Sequence, residues 1–451
     1  MQSVNFTLIN PRYKQNNLNQ YSLNPKQVPK MKPDILLTNI GQIATVANHS
    51  EKPQKGEELG ELSIIENGAI AIADGVIIGV GSTTEILAQI TKMPELPPIE
   101  FPNMLATPGF IDSHTHLAFG GSRENDFAMK LQGKTYLEIL EAGGGILNTL
   151  RSTRKASQGE LCSNAFSYAS DMLSMGTTTI EAKSGYGLDT ENELKMLRAY
   201  GELRGKIPSD LISTFMGAHA IPPEFEGRTE DYVNLLINEM IPAVAESELA
   251  EFCDVFCEKG VFSVEQSRNI LRAAKMSGMK IKVHADEIVQ LGGAELAAEV
   301  GAVSADHLLM ASDDGLEAML KAGTIATLLP ATAFSLNADY ANARKMIDMG
   351  LPVALATDFN PNCANESLFF TIALACYKMK MQPREALSAV TINAAHALNR
   401  GKTHGSIEVG KRADILILDC PNPEYLTWRF GANLVHTVIS NGQVVHTKLG
   451  P

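Results

Sequence analysis

A chain of 451 residues, 45% hydrophobic and 20% charged, has the make-up of a soluble globular protein and exceeds the size at which one core stops growing, so a large and a smaller domain are expected. A formal net charge of −13 argues against nucleic acid as a partner, while still allowing a few local cations to bind a small anionic substrate. Six cysteines without a CxxC pair read as free thiols of a reducing, cytoplasmic compartment, and no apolar stretch reaches membrane-spanning length.

Residues 1–32 contain no acid and no apolar signal region and are rich in Asn and Gln, which reads as a disordered tail. Arg12 is its single arginine, weak support for a transit peptide. Short strand-like runs follow at 34–38, 42–46, 68–72 and 76–80, separated by polar and Gly-rich turns, with 48–62 as a charged loop. The same pattern returns at 405–418 and 436–445. Residues 33–106 and 397–451 are therefore expected to form one composite β-sandwich domain from both chain ends.

Between them, over 107–396, apolar runs alternate with amphipathic helical patterns. Eight runs lie near 105–116, 177–184, 212–220, 252–260, 279–287, 302–308, 323–331 and 352–360, with helices expected at 157–175, 190–204, 228–248 and 264–276. This grammar predicts an α/β fold, a (β/α)8 TIM barrel. Most runs end in reactive side chains: His114 and His116, Glu181 and Lys183, His219, Glu258 and Lys259, His284 and Glu287, His307, and Asp358. Barrel enzymes collect their chemistry at the C-terminal ends of the strands, so this placement points to catalysis.

His114 and His116, two apart in an extended segment, project to one face. An isolated His-x-His is more often structural than functional. Here His284 and Asp358 complete a set of four candidate ligands for one divalent metal per chain, Zn2+ or Fe2+, and the lack of thiolate donors argues against a structural zinc knot. Such a metal would bring the pKa of a bound water toward about 7. Glu287, three residues after His284, is placed to act as general base without binding the metal. His307 is placed to polarise a carbonyl or donate a proton, and Asp306 is expected to point the other way. Gly133-Lys134-Thr135 mimics the end of a phosphate-binding loop, but that motif needs glycine where this chain has Ala128. His49, His404, His436 and His446 fall in the small domain and read as structural or solvated.

Five stretches together resemble the amidohydrolase superfamily and, within it, the imidazolonepropionase family: 114–124 (HTHLAFGGSRE), 181–188 (EAKSGYGL), 217–220 (GAHA), 283–287 (VHADE) and 357–361 (TDFNP). The resemblance runs from about residue 34 to 447. It implies hydrolysis of 4-imidazolone-5-propanoate to N-formimidoyl-L-glutamate in histidine degradation, at a mononuclear site of His114, His116, His284 and Asp358, with Asp358 sharing the proton work. It also implies substrate contacts from Arg123, Tyr186, His219, Glu287, Asn360, Asn362 and Cys363, with Arg123 pairing with an anionic propionate arm. Where that family carries Gly-Ser or Gly-Thr, this chain reads Asn362-Cys363, so a thiol replaces the expected hydroxyl contact. A deaminase of the same superfamily acting on a nucleobase-like ring is the alternative. A binuclear hydrolase would need a carboxylated lysine, for which Lys259 is the candidate. A barrel kept only as a scaffold should have lost ligands, and none is lost. The chain admits a homodimer without requiring one.

Overall fold

The computed structural model describes residues 31–90, 97–135, 138–139 and 142–448, so residues 1–30 of the expected tail lie outside the described residues. The strands are β1 (Ile35–Ala44), β2 (Ile64–Ala73), β3 (Val76–Ser82), β4 (Ile99–Glu100), β5 (Leu105–Pro108), β6 (Phe110–Asp112), β7 (Thr177–Lys183), β8 (Asp210–Ala218), β9 (Phe252–Cys257), β10 (Lys280–Ala285), β11 (Ser304–His307), β12 (Ile325–Leu328), β13 (Val353–Leu355), β14 (Ile415–Leu418), β15 (Val435–Ser440) and β16 (Gln443–Thr447). Strands β6 to β13 lie in sequence order in one parallel sheet, with helices between them, which is the (β/α)8 barrel.

The remaining strands form one mixed sheet in the order β16-β15-β14-β5-β1-β2-β3, with β4 beside β1. That sheet rolls over a shared apolar interior in which Leu37, Ile40, Ile43, Ile70 and Ile72 meet Ile415, Ile417 and Ile439 from the other chain end. The roll brings β3 back onto the approach to β14: Ile77 N donates to Lys411 O at 2.9 Å and Gly410 N to Ile77 O at 2.8 Å. Two runs expected as separate strands, 34–38 and 42–46, are the two halves of β1, interrupted at Asn39, whose φ of 51° breaks the register.

The run expected as the first barrel strand also divides. Its beginning is β5, in the small sheet, and the barrel strand starts only at Phe110. Pro108 has no N–H to continue a ladder. Gly109 then passes so close to β7 that an added Cβ would stand 2.1 Å from Thr178 Oγ1. Among the expected helices, Gln158–Ser174 and Val264–Met276 open on reciprocal caps, Ser157 with Glu160 and Ser263 with Gln266. The expected helix 228–248 is continuous but widens into a π-turn at Leu236–Met240, just before Pro242, whose ring cannot be accommodated by regular α-helical bonding.

The barrel closes between β6 and β13, and it does so beyond the ends of both strands. Asp112 accepts from Thr357 N at 3.1 Å and from Thr357 Oγ1 at 2.5 Å. Asp358 N then donates to His114 O at 3.1 Å, and His116 N to Phe359 O at 2.7 Å. Replacing Gly109 with Ala should cost about 1–3 kcal/mol through overpacking, read as a lowered Tm, and Thr178→Ala in the same chain should recover part of it. An unchanged Tm in Gly109→Ala would mean that the crossing between sheets is looser than these contacts require.

Candidate functional site

The ladder across the seam keeps 114–116 extended, so His114 and His116 both turn inward while Thr115 turns to Glu181, donating Oγ1 to its carbonyl at 2.6 Å. The inward rings converge with those of two neighbouring strands. The ring of His114 lies 4.5 Å from that of His284, and His284 lies 5.1 Å from His307. Donor atoms of His114, His116 and Asp358 all fall within 4.8 Å of one another, and so do those of His114, His284 and His307. His307, expected to serve a carbonyl, thus stands within reach of the donor set as well.

Two aspartates aim the central rings. His114 Nδ1 lies 2.6 Å from Asp306 Oδ2, and His284 Nδ1 lies 3.0 Å from Asp254 Oδ2. The first contact is a hydrogen bond and the second a charge contact without hydrogen-bond alignment; each leaves Nε2 for the centre of the cluster, and both Nε2 atoms are buried without a hydrogen-bond partner. An unsatisfied buried polar atom costs about 1–3 kcal/mol. Two of them converging beside a buried carboxylate fit a divalent cation, whose ligand histidines characteristically hold a carboxylate at the other ring nitrogen.

The expectation that Asp306 points away from the site is overturned. Alternation along β11 puts Asp306 inward, and His307 also faces inward because its φ is 77°, a left-handed backbone in which alternation no longer holds. Asp358 (φ 50°) and Asp286 (φ 48°) share that conformation at the ends of their strands. Such residues persist only where surroundings over-determine them, and they cluster at functional sites.

Burial, then neighbouring cations, hold His114, His116 and His307 well below the usual histidine range, so they are neutral and free to act as ligands. His284 goes the other way: burial opposes its charge, but the Asp254 carboxylate outweighs it and raises the pKa. Burial raises Asp358 to about 6, against the hydrogen bond that Thr332 Oγ1 donates to its Oδ2 at 2.5 Å. Burial, followed by Asp358, pushes Glu287 up to about 8. Glu287 Oε2 stands 3.6 Å from His307 Nε2.

Of the residues expected to contact substrate, some adjoin the cluster and others line a cavity whose walls include none of the donors. The His219 ring stacks 4.8 Å from that of His116 and lies 5.1 Å from Tyr186, and its Nδ1 meets Gly185 O at 3.0 Å. Arg123 donates Nε to Thr149 Oγ1 at 2.8 Å and lines a cavity of about 360 Å³ with Phe119, Tyr168, Phe359, Asn362 and Glu366. A larger, open groove of about 680 Å³ runs along 340–349 and 378–380 and holds none of the site residues. Asn360 is occupied by its own turn: Nδ2 donates to Asp358 O at 2.7 Å, and Oδ1 accepts from Asn362 N at 2.7 Å and Cys363 N at 3.1 Å. The Cys363 thiol packs among Ala331 and Leu374, where burial pushes its pKa up to about 12.

Several strand-end residues turn out to build the site's walls. Glu258 accepts from Lys259 N and Ile288 N, which positions the loop bearing Glu287. Lys259 itself is exposed, away from the buried donors. Glu193 was not singled out in the sequence, yet its buried carboxylate gathers Gly185 N, Gly187 N and Leu188 N at 2.7–2.9 Å and so shapes the loop of Tyr186. The available signal was the Gly-Tyr-Gly turn, whose exposed N–H groups require an acceptor once buried.

The model of the amidohydrolase family matches residues 105–445. The imidazolonepropionase of Parabacteroides distasonis is 51% identical over 91% of this chain and 98% of its own length, and that of Alkaliphilus oremlandii is 51% identical over 93% and 99%. Among solved structures, a 5-methylcytosine deaminase from Klebsiella pneumoniae superposes with a TM-score of 0.70 at 17% identity, covering 92% of this chain and 99% of that one. E. coli guanine deaminase superposes with a TM-score of 0.69 at 14% identity, covering 92% and 100%. At those identities the likeness is one of fold. If the converging donors hold the cation, Asp358→Asn and His284→Ala should both purify with little metal by elemental analysis. Full occupancy in either would remove that residue from the ligand set.

Proposed function

The chain belongs to the imidazolonepropionase branch of the amidohydrolase family, and from that premise we infer how its residues open the substrate ring. It hydrolyses the cyclic amide C–N bond of 4-imidazolone-5-propanoate, giving N-formimidoyl-L-glutamate. Identity of 51% over nearly the whole length of both chains carries this conclusion. Incubating metal-replete protein with the imidazolone and following loss of the ring chromophore tests it, and released ammonia would indicate a deaminase instead.

A divalent cation held by His114, His116, His284 and Asp358, zinc or iron by the chemistry of this nitrogen and oxygen set, would activate water toward hydroxide and polarise the amide carbonyl. Everything else falls to the chain. Glu287 faces the cluster from the loop after β10 and takes a proton from the attacking water as its oxygen bonds to the carbonyl carbon. The same carboxyl returns that proton to the ring nitrogen as the C–N bond breaks, so the nitrogen leaves neutral. Burial raises this carboxyl to about 8, past neutrality, and the positive charge of a cation beside it would bring it back toward the range in which one group can both take and return a proton. Asp358 sits within the donor set and shares the handling of that proton. His307, neutral and 3.6 Å from Glu287, steadies the oxygen that gains charge during attack.

Binding falls to the cavity wall. Arg123 is fixed through Nε by Thr149, which leaves its terminal nitrogens to pair with the propionate. His219, stacked against His116, and Tyr186, tilted beside both rings, flank the ring from the opposite side. Asn360 contributes by shaping the 360–363 turn, and Asn362 lines the cavity beside Arg123.

Two variants separate these roles. Glu287→Gln should keep metal near the parent level while kcat falls by about 10²–10⁴, the usual scale for a general base; concurrent metal loss would make Glu287 a ligand. Arg123→Ala forfeits a charged hydrogen bond of roughly 1.5–3 kcal/mol, so KM should rise about 10–150-fold. An imidazolone lacking the carboxylate should not distinguish that variant from the parent. Equal damage with both substrates would give Arg123 a structural role.

A further inference from the structure

We propose that Lys183 is a positioning residue for the cation site: one buried ammonium, shared by Asp254 and Asp306, holds the two carboxylates that aim His284 and His114. The inference rests on the reading that these two histidines bind the cation.

The atoms form two converging relays. Lys183 Nζ lies 2.9 Å from Asp254 Oδ2, the same oxygen that stands 3.0 Å from His284 Nδ1. It lies 3.9 Å from Asp306 Oδ2, the same oxygen that stands 2.6 Å from His114 Nδ1. Glu181 Oε1, at 2.8 Å, is its third partner, and Glu181 in turn accepts from Thr115 N, between the two ligand histidines of the seam. Lys282 reaches Asp306 at 3.5 Å and spends a hydrogen bond on Ser113 O at 3.2 Å. Among the described residues, Lys183 is therefore the cation that lies within ion-pair range of both aiming carboxylates, bonded closely to Asp254 and at longer range to Asp306, where Lys282 stands nearer.

All of these side chains are fully buried. Two carboxylates this close repel strongly in a medium of low dielectric, and an ammonium between them removes that repulsion. Without it, one carboxylate swings away, and its histidine is free to turn its other nitrogen to the centre. Burial alone would strip the proton from Lys183, but Asp254, Glu181 and Asp306 outweigh burial and keep it charged.

A purely structural lysine would affect folding and leave cation binding alone, so the test reads binding in the metal-free protein. Cobalt(II) is titrated by calorimetry and by its visible ligand-field band, beside the Tm of the apo form. The double variant Lys183→Met with Glu181→Gln removes one positive and one negative charge together, which preserves the buried balance. We expect it to bind cobalt at least tenfold more weakly with a shifted band, and Asp254→Asn to do the same. A folded double variant with parental affinity and band would overturn the proposal. Should the double variant fail to fold, Asp254→Asn decides: an unchanged affinity and band there overturn it equally. His284→Ala distinguishes the underlying reading, since undiminished cobalt binding in that variant would dismiss the site itself rather than the role of Lys183.

Discussion

Closure of the barrel and assembly of the donor set are one structural event. The last hydrogen bonds that join β13 to β6 run through the backbones of His114, His116, Asp358 and Phe359, some 245 positions apart in the chain. Any distortion of that seam moves three donors at once. Conversely, a cation bridging His114, His116 and Asp358 would tie the first strand of the barrel to the last, as a clasp across the whole chain length of the barrel. The Asp112–Thr357 bonds sit directly beneath and hold the two strand ends in register whether or not a cation is present. Burial raises the Asp112 carboxyl to about 7, so near neutral pH this strut lies close to the boundary between its two protonation states.

Beneath the donors the barrel interior departs from the branched apolar layers that usually fill such folds. Glu181, Lys183, Asp254, Lys282 and Asp306 occupy it, all fully buried. Buried ion pairs are rarely worth more than an apolar replacement, and losing one partner is expensive. Their value lies in direction. A carboxylate bonded to Nδ1 fixes both the tautomer and the plane of an imidazole, so the ligand is aimed before any cation arrives. Holding those carboxylates needs cations of its own, which is why a charged layer, once started under a metal site, extends two shells deep.

What the sequence revealed and what it hid follow from the range of each interaction. Period-two alternation is local, so it identified His114 and His116 as a pair and located the strand ends. The helical faces were equally visible, because Ser157 with Glu160 and Ser263 with Gln266 write their caps within four residues. Alternation failed at Asp306 and His307, where a positive φ lets consecutive residues face the same centre. No composition rule signals that turn when the residue is histidine rather than glycine. Asp254 and Glu193 were invisible for a different reason: each looks like an ordinary residue of a strand or helix until its partners, His284 and the 185–188 loop, come to it through tertiary packing. Likewise, the division of 105–116 between two sheets hinged on Thr178, a residue some 70 positions away.

The left-handed residues at the strand ends connect these observations. Asp286, His307 and Asp358 each adopt a positive φ that costs roughly 1–3 kcal/mol for a non-glycine residue. Each is held there by bonds made elsewhere. Asp286 accepts from Leu291 N, Gly292 N, Gly293 N and Ala294 N; Asp358 is gripped by Thr332 and by the seam; His307 is carried by β11 against Glu287. For His307 and Asp358 the turned backbone brings the side chain to the donor cluster, while for Asp286 it sets the carboxylate against the start of the helix Gly293–Val300. The site therefore draws its geometry from interactions formed on folding. A ligand arriving there meets donors already aimed, and little of its binding energy is diverted to arranging them.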